Sequence, residues 1–325
     1  MYLEPTYIRD NVDYSFGDQS GRGILNGYMK DANISNQEFL NKVKEVSMVK
    51  KYLTIFIDNI RLYQRDGIRD TGMEEYLPSA REHKRNVLTD LWSRNDLLKL
   101  CGLLPHIKFV IFTGFEDNCI DEFIWDKIPE NVIGIYASNS ITFGGKVHPI
   151  PYGVQRKLSH SDDRHEVLSD VVNYYESEPT KLLYVNHSEG TYPKERNGLS
   201  DLFINNWSTV NNVTNTHNNY RNYLHEIKNH RFMICPSGNA IGCECSRDWE
   251  VIYMRRVPIV KRSDYLVNIF KDIPVLFVDK FSDVTEELLI KNNHLYDKMK
   301  TFDLGSLDFK VLFDTILKKI DNDIN

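Results

Sequence analysis

The sequence has no basic excess, no long apolar run and little cysteine, and each shortage narrows what the protein can be. Lys and Arg number 40 against 46 Asp and Glu, a formal charge of −6, and the cations are scattered along the chain. A nonspecific nucleic-acid binder gains affinity from a basic stripe that displaces counterions from phosphates, and no such stripe is present, which counts against nucleic acid as a partner. No stretch approaches the roughly 20 apolar residues of a membrane-spanning helix, so no membrane span is expected. The opening residues MYLEPTYIRD lack the basic-then-apolar pattern of a secretory signal, which makes a cytoplasmic location the expectation. Five cysteines, Cys101, Cys119, Cys235, Cys243 and Cys245, are too few and too uneven for a disulfide framework. Cys243-x-Cys245 lacks the spacing of a zinc pair and no paired histidine follows it. No D-x-D follows an interior strand, since Asp321-Asn322-Asp323 lies in the polar tail, so no carboxylate-held metal is expected. The first long apolar run, YLTIFIDNI, leads into a glycine-free stretch, which argues against a dinucleotide oxidoreductase or a nucleotide-sugar epimerase.

What the sequence does contain is a succession of short apolar runs. These are YLTIFIDNI (52–60), IKFVIFTG (107–114), NVIGIYAS (131–138), KLLYVNHS (181–188), HRFMICPSG (230–238), VPIVKRS (257–263) and IPVLFVD (273–279). Continuous apolarity, rather than alternation, is expected of strands buried on both faces. Amphipathic stretches lie between them, RNDLLKLCGLL, YRNYLHEIKN and SRDWEVIYMRR among them, and strands alternating with helices imply parallel sheets. A chain of 325 residues exceeds one ordinary domain of about 100–200 residues. The rhythm breaks over 148–166, where proline, glycine and charge replace apolar periodicity, and the expected boundary there divides residues 1–155 from 156–325. The last stretch, LDFKVLFDTILKKI, sets Phe309, Leu312, Phe313, Ile316, Leu317 and Ile320 on one helical face, which must dock on one of the two domains, the N-terminal one included. The expected fold class is α/β, with two Rossmann-like domains facing across a cleft and ligands at the carboxyl ends of their strands.

The loops after the strands therefore carry the candidate chemistry, and ICPSGNAIGCECSRDWEVIYMRRVPIV (234–260) is the richest. Ser237, Gly238 and Asn239 are small residues that let backbone approach a ligand, and a helix opening near Ser246 would offer free N–H groups to phosphate. Arg247 in its first turn can clamp a diphosphate oxygen, and Glu250 one turn on can accept hydrogen bonds from a ribose diol. A helix cap at Ser246, an i,i+3 pair of Arg247 with Glu250 and a core Trp249 would explain the same residues without a ligand. After the strand KLLYVNHS, Asn186 and His187 end the run and Arg196 lies near the next helix start, where surface arginine is also common.

Pro236, Gly238, Asn239, Arg247, Trp249, Glu250, Pro258, Ile259 and Val260 together resemble the C-terminal signature of exostosin-like and related bacterial and viral glycosyltransferases of GT-B fold. The stretch 263–289 is similar to that family's next unit, and Asn186, Thr191 and Arg196 resemble its N-x-x-T-x-x-x-R loop. The loop from Gly238 to Arg247 is about two residues longer than the family's, and Ser246 stands where a histidine is usual. The resemblance implies transfer of a sugar from a nucleoside-diphosphate sugar, a co-substrate rather than a cofactor, to a hydroxyl of a glycan or glycoconjugate acceptor, without a metal. It implies Asn186, His187, Arg196, Ser237, Gly238, Asn239, Arg247 and Glu250 as donor-binding residues, with Arg196 and Arg247 on the diphosphate.

In the N-terminal half the strand ends carrying Glu116, Asp117 and Asn139 resemble the family's acceptor-side loops, and Gly17 and Asp18 sit in a glycine-rich loop open to the same use. Glu116 or Asp117 is the candidate base for an acceptor hydroxyl. A two-lobed sugar- or nucleotide-binding protein without transferase activity, or a transferase acting on modified DNA, are the alternative readings.

Overall fold

The computed structural model describes residues 5–15, 36–57, 97–114, 120, 122–154, 164–174, 178–204, 219–238 and 242–324. Gly17, Asp18, Glu116, Asp117 and Asn239 lie outside the described residues. The chain divides into two compact units, Pro5–Tyr152 and Gly153–Asn325, so the division falls just ahead of the boundary expected from composition.

The first unit holds a parallel sheet of β1 (Tyr14–Ser15), β2 (Leu53–Ile57), β3 (Phe109–Thr113), β4 (Val132–Ala137) and β5 (Val147–Pro149), hydrogen-bonded in that order. Every residue of β2 and β3 is buried, as their unbroken apolar runs require. Their side chains join Val43, Leu97, Leu98, Cys101, Ile124 and Val147 in one core cluster. The entry to β3 is held by Asn131, whose side-chain amide donates to the carbonyls of Cys101, Leu104 and Ile107 at 2.8–2.9 Å.

Two strands here are too short to announce themselves by periodicity. β1 exists because Asp13 ties it to β2: its N–H donates to the Thr54 carbonyl at 3.1 Å, and its carboxylate accepts the Thr54 N–H at 2.9 Å. β5 contains Pro149, which a sheet edge tolerates because one side of an edge strand needs no donor.

The second unit holds a four-stranded parallel sheet, β6 (Lys181–Val185), β7 (His230–Ile234), β8 (Val257–Lys261) and β9 (Leu276–Val278), again in chain order. Pro258 lies in the interior strand β8, yet β9 pairs only from Ile259 onward, so the missing N–H falls before that ladder begins. Trp249 is fully buried, its ring 5.3 Å from that of Phe270, which is the core role foreseen as the plain explanation for it. The last helix, Phe309–Ile324, buries Phe309, Phe313, Ile316 and Ile320, four of the six apolar positions on the predicted face, and belongs to this unit.

Both units are thus parallel sheets with helices between the strands, an arrangement compatible with two Rossmann-like domains. Among the described strands neither order reverses, so the site is placed by strand ends and loops rather than by a switch point.

Candidate functional site

The carboxyl ends of β6 and β7 and the start of the Ser246–Tyr253 helix carry Asn186, His187, Arg196, Ser237, Gly238, Arg247 and Glu250. All of them belong to the second unit. Chain direction accounts for this: parallel strands all deliver their carboxyl ends, and hence the loops that follow, to one edge of the sheet.

Arg247 is the second residue of its helix. Its Nε and Nη1 are buried, and no hydrogen-bond partner satisfies either atom. Burial opposes its charge, the neighbouring Asp248 carboxylate favours it, and the guanidinium stays protonated near neutral pH. It makes no salt bridge with Glu250, whose carboxylate is engaged elsewhere. Glu250 Oε1 accepts the Tyr220 hydroxyl at 3.0 Å and lies 3.5 Å from Arg164 Nη1, while Oε2 accepts the Tyr223 hydroxyl at 3.0 Å. Arg164 also lies over the Tyr220 ring, 4.6 Å from its centroid. The carboxylate is therefore buried and already solvated by three side chains, and a ribose diol would have to share its remaining lone pairs or displace a partner.

The first turn of this helix is closed on itself. Asp248 Oδ2 accepts the Cys245 N–H at 2.6 Å and the Asp248 N–H returns to the Cys245 carbonyl at 3.1 Å. Asp248 thus caps the helix, and Nε and Nη1 of Arg247 are among the buried donors left without an acceptor at this end. Asp248 is itself buried, with Oδ1 lacking a partner, and burial raises its pKa to about 6. Burial, then the Asp248 charge, pushes the Cys245 thiol up to about 12 and Cys235 upward as well, so both remain thiols near neutral pH.

Arg196 is 3% exposed and its guanidinium is committed to backbone. Nε and Nη2 both donate to the Ser237 carbonyl at 2.9 and 2.6 Å, Nη2 also reaches Pro236 O at 3.2 Å, and Nη1 donates to Ser188 O at 3.1 Å. The sequence reading gave this cation to the diphosphate; the structure spends most of its five N–H donors on carbonyls. Burial, then the like charge of Arg247, lowers its pKa to about 10, and it stays charged at pH 7. His187 is fully enclosed, with Nε2 3.3 Å from the Arg196 carbonyl and Nδ1 without a partner. Burial, then Arg247, lowers its pKa to about 4, so it is a neutral imidazole here. Asn186 donates to the Tyr184 hydroxyl at 2.8 Å.

Glu195, Tyr220, Tyr223, Arg164 and Asp248 were not singled out from the sequence. Tyr220 and Tyr223, spaced i,i+3 at the start of an amphipathic helix, were the legible hint that one face there carries paired phenols.

In the first unit Asn139 follows β4 with φ 54° and is buried, and Gly114 follows β3 with φ 116°. A Cβ at Gly114 would stand 2.1 Å from Ser138 Oγ, so strands β3 and β4 release their chains in contact with each other. Of the acceptor-side residues named from sequence, Asn139 is the one that lies among the described residues. No group of three or more His, Cys, Asp or Glu side chains among the described residues is arranged as metal ligands, and no helix there is long and apolar enough to cross a membrane. No protein-family model matches the chain, and no curated protein is significantly similar to it.

Proposed function

We propose that the second unit binds the diphosphate of a sugar nucleotide and that the chain is a metal-independent glycosyltransferase of GT-B type. The observation that carries this reading is Arg247: a charged, buried guanidinium with unspent donors, electrostatically coupled to a second buried cation, Arg196. A buried donor without an acceptor is costly, and among the described residues no carboxylate lies within salt-bridge distance of Arg247 to accept from Nε or Nη1. An anionic ligand supplies the missing acceptors. The resemblance of Pro236, Gly238, Arg247, Trp249, Glu250 and Pro258–Ile259–Val260 to a donor-binding element supports a nucleoside diphosphate over a simple anion.

In the transfer, the bond between the sugar's anomeric carbon and the diphosphate oxygen breaks, and the acceptor hydroxyl forms the new bond and loses its proton. Negative charge grows on the departing diphosphate. Arg247, held in place before the reaction, stabilises that charge without reorganising, and the field of Arg196 adds to it. Glu116 or Asp117 remains the proposed base for the hydroxyl proton.

A thermal-shift panel of UDP, GDP, CMP and their sugars, run in chelator, tests this. At 100 times its dissociation constant a ligand stabilises by about 2.7 kcal/mol. One nucleoside diphosphate is expected to raise the melting temperature, and Arg247→Ala to abolish the rise. An undiminished shift in that variant rejects Arg247 as the anion ligand, and absence of transfer or hydrolysis of the bound labelled sugar favours a binding protein instead.

A further inference from the structure

Two adjacent side chains of the short helix Pro193–Arg196 after β6 grip both backbone polar groups of one residue in the loop after β7. Glu195 Oε1 accepts the Ser237 N–H at 2.6 Å, and Arg196 places Nε and Nη2 on the Ser237 carbonyl at 2.9 and 2.6 Å. The same guanidinium also holds Pro236 O and Ser188 O. Both backbone polar groups of Ser237 are therefore fixed by charged partners, which make stronger bonds than neutral ones. From Ser237 the constraint passes on directly. Gly238 lies beside Cys245, close enough that a Cβ added to it would come into van der Waals contact with Cys245 Cβ at 3.5 Å, and Cys245 is the N-cap residue of the helix that presents Arg247.

The chemistry of the pair is otherwise hard to account for. A carboxylate beside an anion site repels the ligand, and a buried guanidinium turned toward carbonyls is lost to it. Both costs are accounted for if the two residues set the geometry instead of touching the ligand. We propose that Glu195 and Arg196 are positioning residues of the anion site: together they lock the two peptide groups that flank Ser237, and through Gly238 and Cys245 they fix where Arg247 meets a diphosphate. This inference rests on the nucleotide-binding reading of the same site.

The test uses the full chain and the nucleoside diphosphate that stabilises the wild type, with calorimetric affinity and ligand-free melting temperature measured separately. Glu195→Gln keeps an acceptor oxygen but loses the charge, and is expected to bind within about threefold of wild type or more tightly. Glu195→Ala removes the acceptor and is expected to bind at least about tenfold more weakly. Arg196→Lys keeps the charge but not the fork, and is likewise expected to weaken binding by about tenfold or more. Glu195→Ser replaces the alanine variant should circular dichroism show that variant unfolded.

Glu195→Ala binding like wild type overturns the proposal. So does Arg196→Lys binding like wild type while Arg196→Met does not, because that pattern marks a direct cation contact. Melting temperatures that fall in both variants with affinities unchanged leave a purely structural clamp, which overturns it too. A wild type that binds no member of the panel sinks the nucleotide reading and this inference with it, whereas failure in the variants alone sinks only the inference.

Discussion

Arg196 and Arg247 carry like charges within electrostatic reach of each other in a buried setting, and each makes the other's ionisation more costly. Their donors are directed differently. Arg196 spends most of its donors on carbonyls, while Nε and Nη1 of Arg247 have no partner among the described residues.

Removing Arg247 should therefore not weaken the ligand-free protein. Arg247→Ala removes buried donors that meet no acceptor at Nε and Nη1 and relieves repulsion of Arg196, which offsets the lost attraction to Asp248, so its melting temperature without nucleotide is expected to stay within about 2 °C of wild type. A fall of many degrees in differential scanning calorimetry would assign Arg247 a structural role.

Glu250 ties the Arg164, Tyr220 and Ser246–Tyr253 segments through two phenol hydroxyls. Each is a hydrogen bond to a charged group, of order 1.5–3 kcal/mol, so Tyr223→Phe is expected to lower stability by that amount in urea unfolding. In a Glu250→Ala background the same Tyr223→Phe change should cost almost nothing. Equal costs in both backgrounds would show that the hydroxyl is not held by this carboxylate.

Gly114 is expected to resist substitution. Its φ is 116°, and a Cβ would meet Ser138 Oγ at 2.1 Å and the Ser138 backbone O and N at 2.8 and 2.9 Å. Gly114→Ala should cost at least about 2 kcal/mol in equilibrium unfolding. Adding Ser138→Ala removes only the hydroxyl, so the double variant should remain destabilised; full recovery would mean that the backbone contacts yield.

Acid stability should be governed by two enclosed histidines. Burial lowers His187 and His230 to about 4, below their unfolded value of 6.5. The unfolded chain then takes up protons before the native one does, so their contribution is intact above pH 6.5 and is lost as pH falls from 6.5 toward 4. One such shift corresponds to roughly 3 kcal/mol. Asp248 works in the opposite sense: its pKa is raised to about 6, so its buried charge costs stability above pH 6 and that cost is relieved as pH falls toward 3.8. His230 stacks on Tyr184 at 5.0 Å and has no partner for Nε2, so His230→Phe should fold and show a shallower loss between pH 6.5 and 4. An unchanged acid profile would remove His230 from this account.

All seven apolar runs read from the sequence form strands, because a strand covered on both faces must be apolar along its length. β1 and β5 were not legible by the same rule. Two residues, or three ending in proline, have no period, and they become strands only through partners already in place, Ile55 and Phe56 for β1 and Ile135 to Ala137 for β5. The helix at Ser246–Tyr253 and the core place of Trp249 followed from local pattern, while the commitment of Glu250 to two tyrosines 27 and 30 residues away did not.

The sequence by itself determined where the seven apolar strands form and that the second half ends its strands in small, polar and charged loop residues, since these depend on local propensity and burial. Which of its cations remains unspent was decided only by the tertiary structure. Arg196 finds the Ser237 carbonyl 41 residues along the chain, while Nε and Nη1 of Arg247 find no acceptor among the described residues, because the acceptor that a side chain meets is set by how distant segments pack.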